Sequence, residues 1–431
     1  MDMSGAIGSL GELKKQEWTK TVCAHVPAGP SAWAWMARDI EGRFVAVVPD
    51  RRARSVFSAA YSVFTPGRRL FSLSDIPLAE DSLDDDALLV QRGETLLQWA
   101  RTDNGVLVST PMGLMAPFSF SDDSFSLGCG VDAGRERFLL WLSENGYERS
   151  DIVWKAGHYV SRGGIIDVYD PSSRMPVRVE FFDETVESLR FFSPRDQRSM
   201  GELEAIDIRS LKGAPQKGLE MFLDKNVSVV YCEPVETSAG ADSFAWLWES
   251  LSEKPGVPGL LTWDEVRTLL SAGRKVEIER QVRPWSLRSG VMELPSFRGS
   301  LAALNASVKG WVSEGLDVEL FGASPLLDAW SKEQGVHRWD GFPGGGFLDR
   351  NAARVLLSEE DVLGTGSFRK DSICEASPLP DWDISIGDYD YVVHDDYGIA
   401  RNLGIERVTS GGVDRDCLVL EFGDERRLYL P

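Results

Sequence analysis

Few residue patterns in this chain could perform chemistry, and the first to test is a phosphate cradle. ATP-driven enzymes carry G-x-x-x-x-G-K-[ST], in which backbone amides and the lysine neutralise phosphates. The nearest topological equivalent, Ala28-Gly29-Pro30-Ser31-Ala32, has one glycine, no lysine, and a proline that removes an amide. Gly364-Thr365-Gly366-Ser367-Phe368 looks like a kinase glycine loop, but no H-R-D or D-F-G motif accompanies it. We therefore expect no nucleotide or cofactor site here, and Gly344-Gly345-Gly346 predicts a flexible turn.

Metal, thiol and acid–base chemistry also lack a supporting pattern. The five cysteines form no CxxC pair, and the four histidines are equally dispersed. An odd, scattered set of cysteines argues for a reducing compartment and against a disulfide framework or zinc site. Asp84-Asp85-Asp86 and Glu359-Glu360-Asp361 are typical of solvated faces in so acidic a chain. We expect no catalytic residue and no metal ligand. The dispersed residues are Cys23, Cys129, Cys232, Cys374, Cys417, His25, His158, His337 and His394.

Composition and charge restrict the class of protein further. The 431 residues include 46 basic and 67 acidic side chains, for a formal net charge of -21. Such a surface repels a phosphate backbone, so tight duplex DNA binding by this chain is not expected. No apolar run approaches the ~20 residues that span a membrane, and the start lacks a signal-peptide core. These features predict a cytoplasmic, monomeric protein of several domains that does not bind membranes.

The elements that would position any functional residue follow a mixed α/β pattern. Residues 44–48 read as a buried strand, and a second strand–helix-like stretch runs from 94–97 into 105–110. Alternation of strands and helices implies a parallel sheet. The polar, proline-bearing residues 369–385 predict a linker. Further strands are predicted at 227–231, 317–321 and 353–357, and helices at 31–38, 51–64, 131–150, 241–252, 263–272, 301–314 and 325–333. The helix within 131–150 is predicted to end near Glu144-Asn145-Gly146, where Asn-Gly supplies a left-handed stop.

Between 157 and 200 the apolar period changes to two, which predicts a β-meander inserted in the α/β region. Val177, Val179 and Phe181 alternate with Arg178, Glu180 and Phe182. The predicted strands are 158–169, 177–183 and 185–192, with turns at 170–173 and 183–184.

One face of this meander is a candidate binding surface. Arg178, Glu180 and Phe182 share the polar face, with Arg162 on the first strand. Arginine and aromatic side chains are enriched in binding hot spots. The alternative is two surface arginines beside a half-buried phenylalanine, which is a common arrangement. The residues alone leave both interpretations open.

The final segment predicts a small SH3-like barrel of short strands. The strands are predicted at 391–393, 398–408, 417–422 and 427–430, with turns at Ser410-Gly411-Gly412 and Gly423-Asp424. Pro431 follows a strand directly, with no closing strand or helix, so we expect the sequence to be truncated there.

Two runs resemble known families. Ser161-Arg162-Gly163-Gly164-Ile165-Ile166-Asp167-Val168, with the segments 176–183, 187–192 and 196–199, resembles domain 2 of the UvrB and coupling-factor families. Residues 392–401, Gly411-Gly412 and Leu428-Tyr429-Leu430-Pro431 resemble the RNA polymerase-interacting domain shared with CarD-like regulators. UvrB carries only the first signature and CarD only the second. Both in this order resemble the transcription-repair coupling factor family over most of the chain, with 213–370 matching only in general character.

The resemblance implies a multidomain α/β protein. Its N-terminal part would be a degenerate P-loop-type, UvrB-like module with an inserted β-meander domain, followed by a small SH3-like β-barrel. The implied divisions are domain 1a at 1–122, the UvrA-binding domain 2 at 123–210, domain 1b at 211–299, a small α/β domain at 300–368, a linker at 369–385 and the CarD-like RNA polymerase-interacting domain at 386–431.

The resemblance also implies an adaptor function with two protein partners, UvrA and the β subunit of RNA polymerase. The family's UvrA contacts fall on Arg162, Arg178 and Phe182. Its polymerase contact falls on Val408, and Ile399 and Arg401 lie in the same matching domain. The implied role is to recruit UvrA of nucleotide excision repair to polymerase stalled at DNA lesions. The family's ATP-dependent DNA translocase or helicase, with its ATP, magnesium and DNA contacts, is implied to lie beyond Pro431.

One departure and two alternatives accompany this hypothesis. Residues 387–393 are two longer than the family's usual spacing, which predicts a bulge or register change on that strand. A UvrB-like damage-recognition helicase would need a Walker lysine, and none follows Gly29. A CarD-like regulator with an unrelated N-terminal half conflicts with the 161–199 run.

Overall fold

The structure is a computed structural model of the chain. It describes residues 7–12, 21–76, 86–121, 123–173, 175–194, 197–213, 218–223, 227–251, 260–297, 300–322, 324–341, 344–363, 391–394, 398–410, 413–422 and 427–430. The helices are α1 (Pro30–Ala37), α2 (Arg51–Phe64), α3 (Asp86–Ala100), α4 (Pro111–Met115), α5 (Arg135–Glu144), α6 (Pro234–Leu251), α7 (Trp263–Leu269), α8 (Leu301–Ser313), α9 (Leu326–Gln334) and α10 (Glu359–Leu363). Short 3-10 turns lie at Leu10–Glu12 and Leu270–Ala272.

The described part of the chain contains five sheets, built from the strands that follow. In chain order they are β1 (Val22–His25), β2 (Phe44–Val47), β3 (Arg69–Ser72), β4 (Gly105–Ser109), β5 (Ser124–Gly128), β6 (Glu148–Arg149), β7 (His158–Arg162), β8 (Ile165–Val168), β9 (Val177–Phe182), β10 (Thr185–Phe192), β11 (Ser199–Leu203), β12 (Ala205–Arg209), β13 (Ser228–Cys232), β14 (Lys275–Glu279), β15 (Leu287–Arg288), β16 (Val291–Glu293), β17 (Asp317–Phe321), β18 (His337–Trp339), β19 (Phe347–Asp349), β20 (Arg354–Ser358), β21 (Tyr391–His394), β22 (Gly398–Ser410), β23 (Val413–Phe422) and β24 (Arg427–Leu430).

A seven-stranded parallel sheet organises the first part of the chain, in the order β15-β1-β14-β13-β2-β4-β3. Successive strand residues face opposite sides, so β2 contributes Phe44 and Ala46 to one hydrophobic core and Val45 and Val47 to another. Helices α1 and α2 cover the first side, and α3, α4 and α6 cover the second. The chain leaves this sheet after β4 and returns at β13, which agrees with the predicted insertion.

The inserted segment forms a six-stranded sheet, in the order β11-β10-β9-β8-β7-β6, beside a two-stranded sheet of β5 and β12. Helix α5 packs on it through Phe138 and Leu142, which share a core with Val179 and Leu189. The pattern of period two in β9 is therefore explained by burial of Val177, Val179 and Phe181 on one face of the sheet.

Three predicted boundaries in this region are wrong. Residues 158–169 form two strands rather than one, because the chain turns at Gly163, whose φ is +59°. A Cβ on Gly164 would lie 2.8 Å from the carbonyl oxygen of Phe181, so the strands approach closely there. The helix predicted within 131–150 begins later, at Arg135, whereas its end at Glu144 and the left-handed Gly146, with φ +88°, are as predicted. Residues 94–97 belong to helix α3, not to a strand.

A third unit packs directly on helix α1. Its five strands, in the order β16-β19-β20-β17-β18, place Phe321, Phe347 and Leu356 in the core that contains α1 and α2. The indole Nε1 of Trp35 donates a buried hydrogen bond of 2.7 Å to Asp349 Oδ2. These contacts join the third unit to the seven-stranded sheet.

The last strands form an antiparallel sheet in the order β21-β22-β23-β24, and β22 contacts helix α6. Tyr391 to His394 pair with Gly398 to Arg401 without a register shift, so the predicted irregularity does not occur in 391–394. The predicted strand 417–422 begins earlier, at Val413. The predicted linker at 369–385 and the run 364–368 lie outside the described residues.

A buried network of charged side chains connects helix α3 with the segments that follow β3 and β4 on the second side of the seven-stranded sheet. Arg92 is 1% exposed and donates to the carbonyl oxygens of residues 74, 113, 116 and 117. Burial lowers the pKa of Arg92 to about 10, although the nearby Asp75 carboxylate opposes that shift. Asp75 itself pairs with Arg51 and Arg54 at 3.1 and 3.0 Å.

Within the described ranges, no helix combines the length and the apolarity that crossing a membrane requires.

Candidate protein-binding face

The outer face of the six-stranded sheet, defined as the face that carries Arg162, Arg178 and Phe182, is the candidate site. Directly opposed residues of antiparallel strands share a face, so strand register fixes the arrangement. Arg178 stands opposite Asp167 and Arg190, Phe182 stands opposite Thr185, and Arg162 stands opposite Ile165. Because Ile165 in turn pairs with Glu180, Arg162 belongs to the row between those of Arg178 and Phe182. The predicted residues therefore occupy three consecutive rows of one face.

The inner face explains why these side chains point outward. Val177, Val179 and Phe181 of β9 are buried in the core beneath the sheet. A one-residue slip would bury the arginine and expose the valines, so the apolar set fixes the register. A bulge between Val186 and Ser188 in β10 shifts the register, so that both Val186 and Leu189 face the same core as the apolar residues of β9.

Arg178 is held tightly rather than being free. Its Nε and Nη2 donate to the two carboxylate oxygens of Asp167 at 2.7 and 2.9 Å. Its guanidinium carbon lies 4.9 Å from the ring centroid of Phe192. These hydrogen bonds raise the pKa of Arg178, so the side chain stays charged. With its side chain 21% exposed, Arg178 offers only part of its guanidinium to a partner.

Phe182 is the most exposed large apolar side chain of the protein's described residues, at 76%. It ends strand β9, and Asp183 in the following turn has φ +54°, a left-handed conformation that aspartate tolerates better than most residues. The turn directs the ring away from the core instead of back onto it. An exposed phenylalanine at a rigid strand end is an anchor that loses little conformational entropy on binding.

Arg162 ends strand β7 and donates from Nη2 to the backbone carbonyl oxygen of Asp151. That contact brings the segment 151–154 onto the outer face, where Val153 packs with Val160 and Phe192 in a small separate core. The same segment exposes Ile152 and Trp154 by about half of their surface. Apolar surface therefore continues from the sheet onto this loop.

The positions predicted to contact polymerase lie on the four-stranded sheet, away from the outer face. Ile399 and Val408 are both in β22, opposite Val393 and Arg415, while their side chains lie outside the described residues. Arg401 forms an ion pair of 2.5 Å with Glu421 on β23. The structure thus separates the two predicted binding sites onto two sheets.

The degenerate phosphate cradle lies between β1 and α1. Gly29 is the N-cap of α1 without a side-chain cap, and Pro30 occupies the first turn. The hydroxyl of Ser31 donates at 2.5 Å to the carbonyl oxygen of Gly345, and a Cβ on Gly344 would meet Val56 at 2.2 Å. The predicted flexible turn is therefore packed against the start of α1.

Sequence reasoning missed Asp167, Phe192 and the 151–154 segment. In the sequence, Asp167 was noted only within the run 161–168 that resembles domain 2 of the UvrB and coupling-factor families. Its position opposite Arg178 follows once β8 and β9 are paired. The apolar residues Ile152, Val153 and Trp154 next to polar neighbours were the available signal for the loop.

Comparison with known families agrees with this geometry. Residues 125–212 match the UvrB interaction domain, and residues 386–431 match the CarD-like/TRCF RID domain. The first match covers the whole six-stranded sheet with its outer face, and the second covers the four-stranded sheet. The fold and these matches thus define a mixed α/β protein with several sheets and two segments that match interaction domains.

The relatives specify the family. A transcription-repair-coupling factor of Escherichia coli (strain K12) is 23% identical over 519 residues, which include 98% of this chain and 44% of the relative. That of Myxococcus xanthus is 22% identical over 416 residues, with 70% of this chain and 34% of the relative. That of Staphylococcus haemolyticus is 34% identical over 142 residues, with 32% of this chain and 12% of the relative.

The chain is accordingly a relative of the transcription-repair coupling factors and corresponds to their N-terminal region, as the resemblance had indicated. It spans less than half the length of the E. coli and M. xanthus relatives. The two matched domains stand in the order that the sequence analysis predicted, at residues 125–212 and 386–431.

Proposed function

We propose that this chain is a protein-binding adaptor of transcription-coupled repair. Its outer face recruits UvrA, and its four-stranded sheet binds the β subunit of RNA polymerase stalled at DNA lesions. The observation that carries the proposal is the outer face itself. A segment that matches the UvrB interaction domain presents Phe182 with 76% of its surface exposed, on a sheet whose other face carries a hydrophobic core.

The physical case for recruitment rests on rigidity and composition. Hot spots are enriched in arginine and aromatic residues and lie where little ordering is needed on binding. Phe182, Arg162 and the exposed Trp154 provide such groups on paired strands and an adjoining loop that is hydrogen-bonded to them. The arginines would meet acidic or carbonyl groups of the partner, and Phe182 would enter an apolar pocket.

Calorimetric titration of UvrA into the chain tests the first half of the proposal. Phe182→Ala and Arg162→Ala together should cost at least ~2 kcal/mol, or roughly thirty-fold in affinity. Leu140→Ala is the matched control, because Leu140 on α5 is 58% exposed but belongs to another surface. The control should bind as the unmodified chain does. Equal binding by all three proteins would refute the site, and binding by none of them would refute the recruitment role.

The second half of the proposal concerns polymerase. We assign the contact to β22 through Ile399, Arg401 and Val408, within a sheet that would complete an SH3-like barrel. Support comes from the CarD-like/TRCF RID match over 386–431 and from the antiparallel pairing of β21 to β24. Affinity capture of the isolated β subunit by the chain should be lost on Val408→Glu, since a charge cannot enter an apolar contact. Retained capture would remove Val408 from the site.

We further propose that the seven-stranded sheet is a degenerate P-loop module that holds neither ATP nor magnesium. Gly29 and Pro30 supply fewer amides than a phosphate cradle needs, and Ser31 is already bonded to Gly345. The proposed domain divisions, the monomeric state and the cytoplasmic location follow from the same family assignment, and DNA contacts are assigned to the rest of the full-length relatives. Retention of labelled ATP by the chain on a filter would contradict this part.

A further inference from the structure

A polar cleft lies on the second side of the seven-stranded sheet, away from the outer face and from the degenerate phosphate cradle. Tyr231 of β13 stands directly opposite Glu277 of the parallel strand β14, and Lys275 precedes Glu277 by two residues. The intervening Val276 is in the core with α1, so strand alternation directs these three side chains to the other side of the sheet. Helix α7 packs on that side through Trp263, which forms part of the facing wall.

The charge of this cleft is opposite to that of the chain as a whole. Its volume is about 100 Å³, enough for one small ion, since a water molecule takes ~30 Å³. Arg267 of α7 pairs with Asp264 at 3.9 Å, and Lys275 forms no ion pair within the described part of the chain. Among the described residues that line the cleft, only Glu277 is acidic, so two cations face one carboxylate. The lining includes Tyr231, Ser238, Trp263, Arg267, Lys275 and Glu277.

The Tyr231 hydroxyl is a second, independent observation. Tyr231 is 7% exposed, and its Oη has no hydrogen-bond partner among the residues that the structure describes. The neighbouring Trp263 cannot accept, and its Nε1 donates to Ser238 Oγ at 3.3 Å. Burial raises the pKa of Tyr231, while the charge of Arg267 opposes that shift and the charge of Glu277 reinforces it. The hydroxyl thus lies within reach of both charges, stays protonated, and is a buried donor that needs an acceptor.

The chemistry of the lining specifies the ligand. Two cations and a hydroxyl donor suit the oxygens of a small oxyanion. Glu277 repels such an ion unless the ion carries a proton that the carboxylate can accept. Hydrogen phosphate has both properties at neutral pH, with charged oxygens and one P–OH group. Sulfate has no proton to donate, and a phosphate monoester has lost its last one near pH 8, because its second pKa is ~6.

We propose that this cleft binds one free hydrogen phosphate ion. Arg267 and Lys275 bind its charge from two walls, and the Tyr231 hydroxyl donates to one of its oxygens. The P–OH group donates to Glu277, whose Oε2 already accepts from Cys23 Sγ at 3.8 Å and whose Oε1 takes the new bond. No covalent bond forms or breaks.

Equilibrium dialysis of ³²P-labelled inorganic phosphate against the full chain near pH 8 tests the proposal. We expect saturable binding of one equivalent with a Kd below ~1 mM. Tyr231→Phe and Arg267→Gln should each weaken binding at least ~10-fold, because each removes a hydrogen bond to a charged group. Tyr231→Phe keeps the buried ring and removes a hydroxyl that has no partner in the unbound chain, so the variant should fold normally.

Two matched controls separate the cleft from the overall charge. Arg350→Gln and Lys309→Gln each remove one positive charge elsewhere and should bind phosphate as the unmodified chain does. Arg350 resembles Arg267 in exposure, with 46% and 58% of their side chains exposed, and Arg350 pairs with Glu314 at 3.4 Å. Lys309 is exposed on α8.

Competition tests the role of Glu277. Sulfate and glycerol 3-phosphate should displace labelled phosphate at least ~10-fold less well than unlabelled phosphate does, since neither can donate to the carboxylate. In Glu277→Gln this preference should disappear, because an amide can donate to an oxyanion that has no proton.

Three outcomes would overturn the inference. The first is an absence of saturable binding by the unmodified chain. The second is a loss of binding in the two controls as large as that in Arg267→Gln, which would show an adventitious ion only. The third is equal competition by sulfate in the unmodified chain, or unchanged affinity in Tyr231→Phe. If Tyr231→Phe does not fold, unchanged affinity in Arg267→Gln is equally decisive. None of these measurements involves UvrA or polymerase, so the result is separate from that of the proposed function.

Discussion

Substituting Arg178 by alanine should destabilise the UvrB interaction domain, not only remove a contact to a partner. The Asp167 side chain is 5% exposed, and both of its carboxylate oxygens accept from Arg178, at 2.7 and 2.9 Å. The variant leaves this buried carboxylate without its cation. Removing one partner of a buried pair costs ~3–5 kcal/mol. Because the Arg178 side chain is itself 21% exposed, we expect the lower end, about 3 kcal/mol.

Amide hydrogen exchange of the full chain measures this loss locally, which suits a protein of several domains that does not unfold in one step. The free energy of opening should fall for amides of β8 and β9. Adding Asp167→Asn to Arg178→Ala should restore part of it, because a neutral amide is cheaper to bury than an unpaired carboxylate. The substitution Arg190→Ala is the matched control. Arg190 stands opposite Arg178 but contacts Glu180 and the exposed Glu202 at only 3.5 and 3.9 Å.

The control should change the opening free energy by less than ~1 kcal/mol, as solvent-exposed ion pairs do. Phe182→Ala should leave exchange unchanged, since its ring is mostly in water. If Arg178→Ala costs less than ~1 kcal/mol, or if Asp167→Asn gives no recovery, the Asp167 carboxylate does not depend on Arg178 for its stability. If both expected results are obtained, weaker UvrA binding by an Arg178 variant would combine lost stability with lost contact, whereas Phe182→Ala would report contact alone.

Three further predictions follow from buried groups and caps. Arg92→Met removes the donor for four backbone carbonyls, so the free energy of opening of the α3 amides in hydrogen exchange should fall by at least ~3 kcal/mol, and unchanged exchange would contradict the network. Thr262→Ala removes the capping box of α7 and should cost ~0.5–2 kcal/mol in exchange of its first turn, unlike Thr268→Ala, which leaves that cap intact. Burial raises the pKa of Asp361, so the folded state favours its protonated form. The local free energy of opening should therefore fall as pH rises from the ordinary aspartate pKa through the raised one, and Asp361→Asn should reduce this pH dependence for the β20 amides in hydrogen exchange.

The sequence determined the features that depend on local alternation. Val177, Val179 and Phe181 had to face a core, and this alone directed Arg178 and Phe182 to the other side of β9. The order of the two interaction domains could also be predicted from the sequence, because each domain is formed by a continuous run of residues. The positions of Arg162, Arg178 and Phe182 on one face then followed from strand pairing. Their contacts with partners stay predictions.

Other features were decided only by tertiary structure, because they join residues distant in sequence. The hydrogen bonds between Arg178 and Asp167 depend on the register of β8 against β9. The division of 158–169 into two strands depends on the same pairing and on the turn at Gly163. The contact of Cys23 with Glu277 joins residues 254 positions apart, brought together when β14 returns beside β1. Parallel strands separated by an inserted domain leave no signal in the sequence for such a contact, because only packing brings the two side chains together.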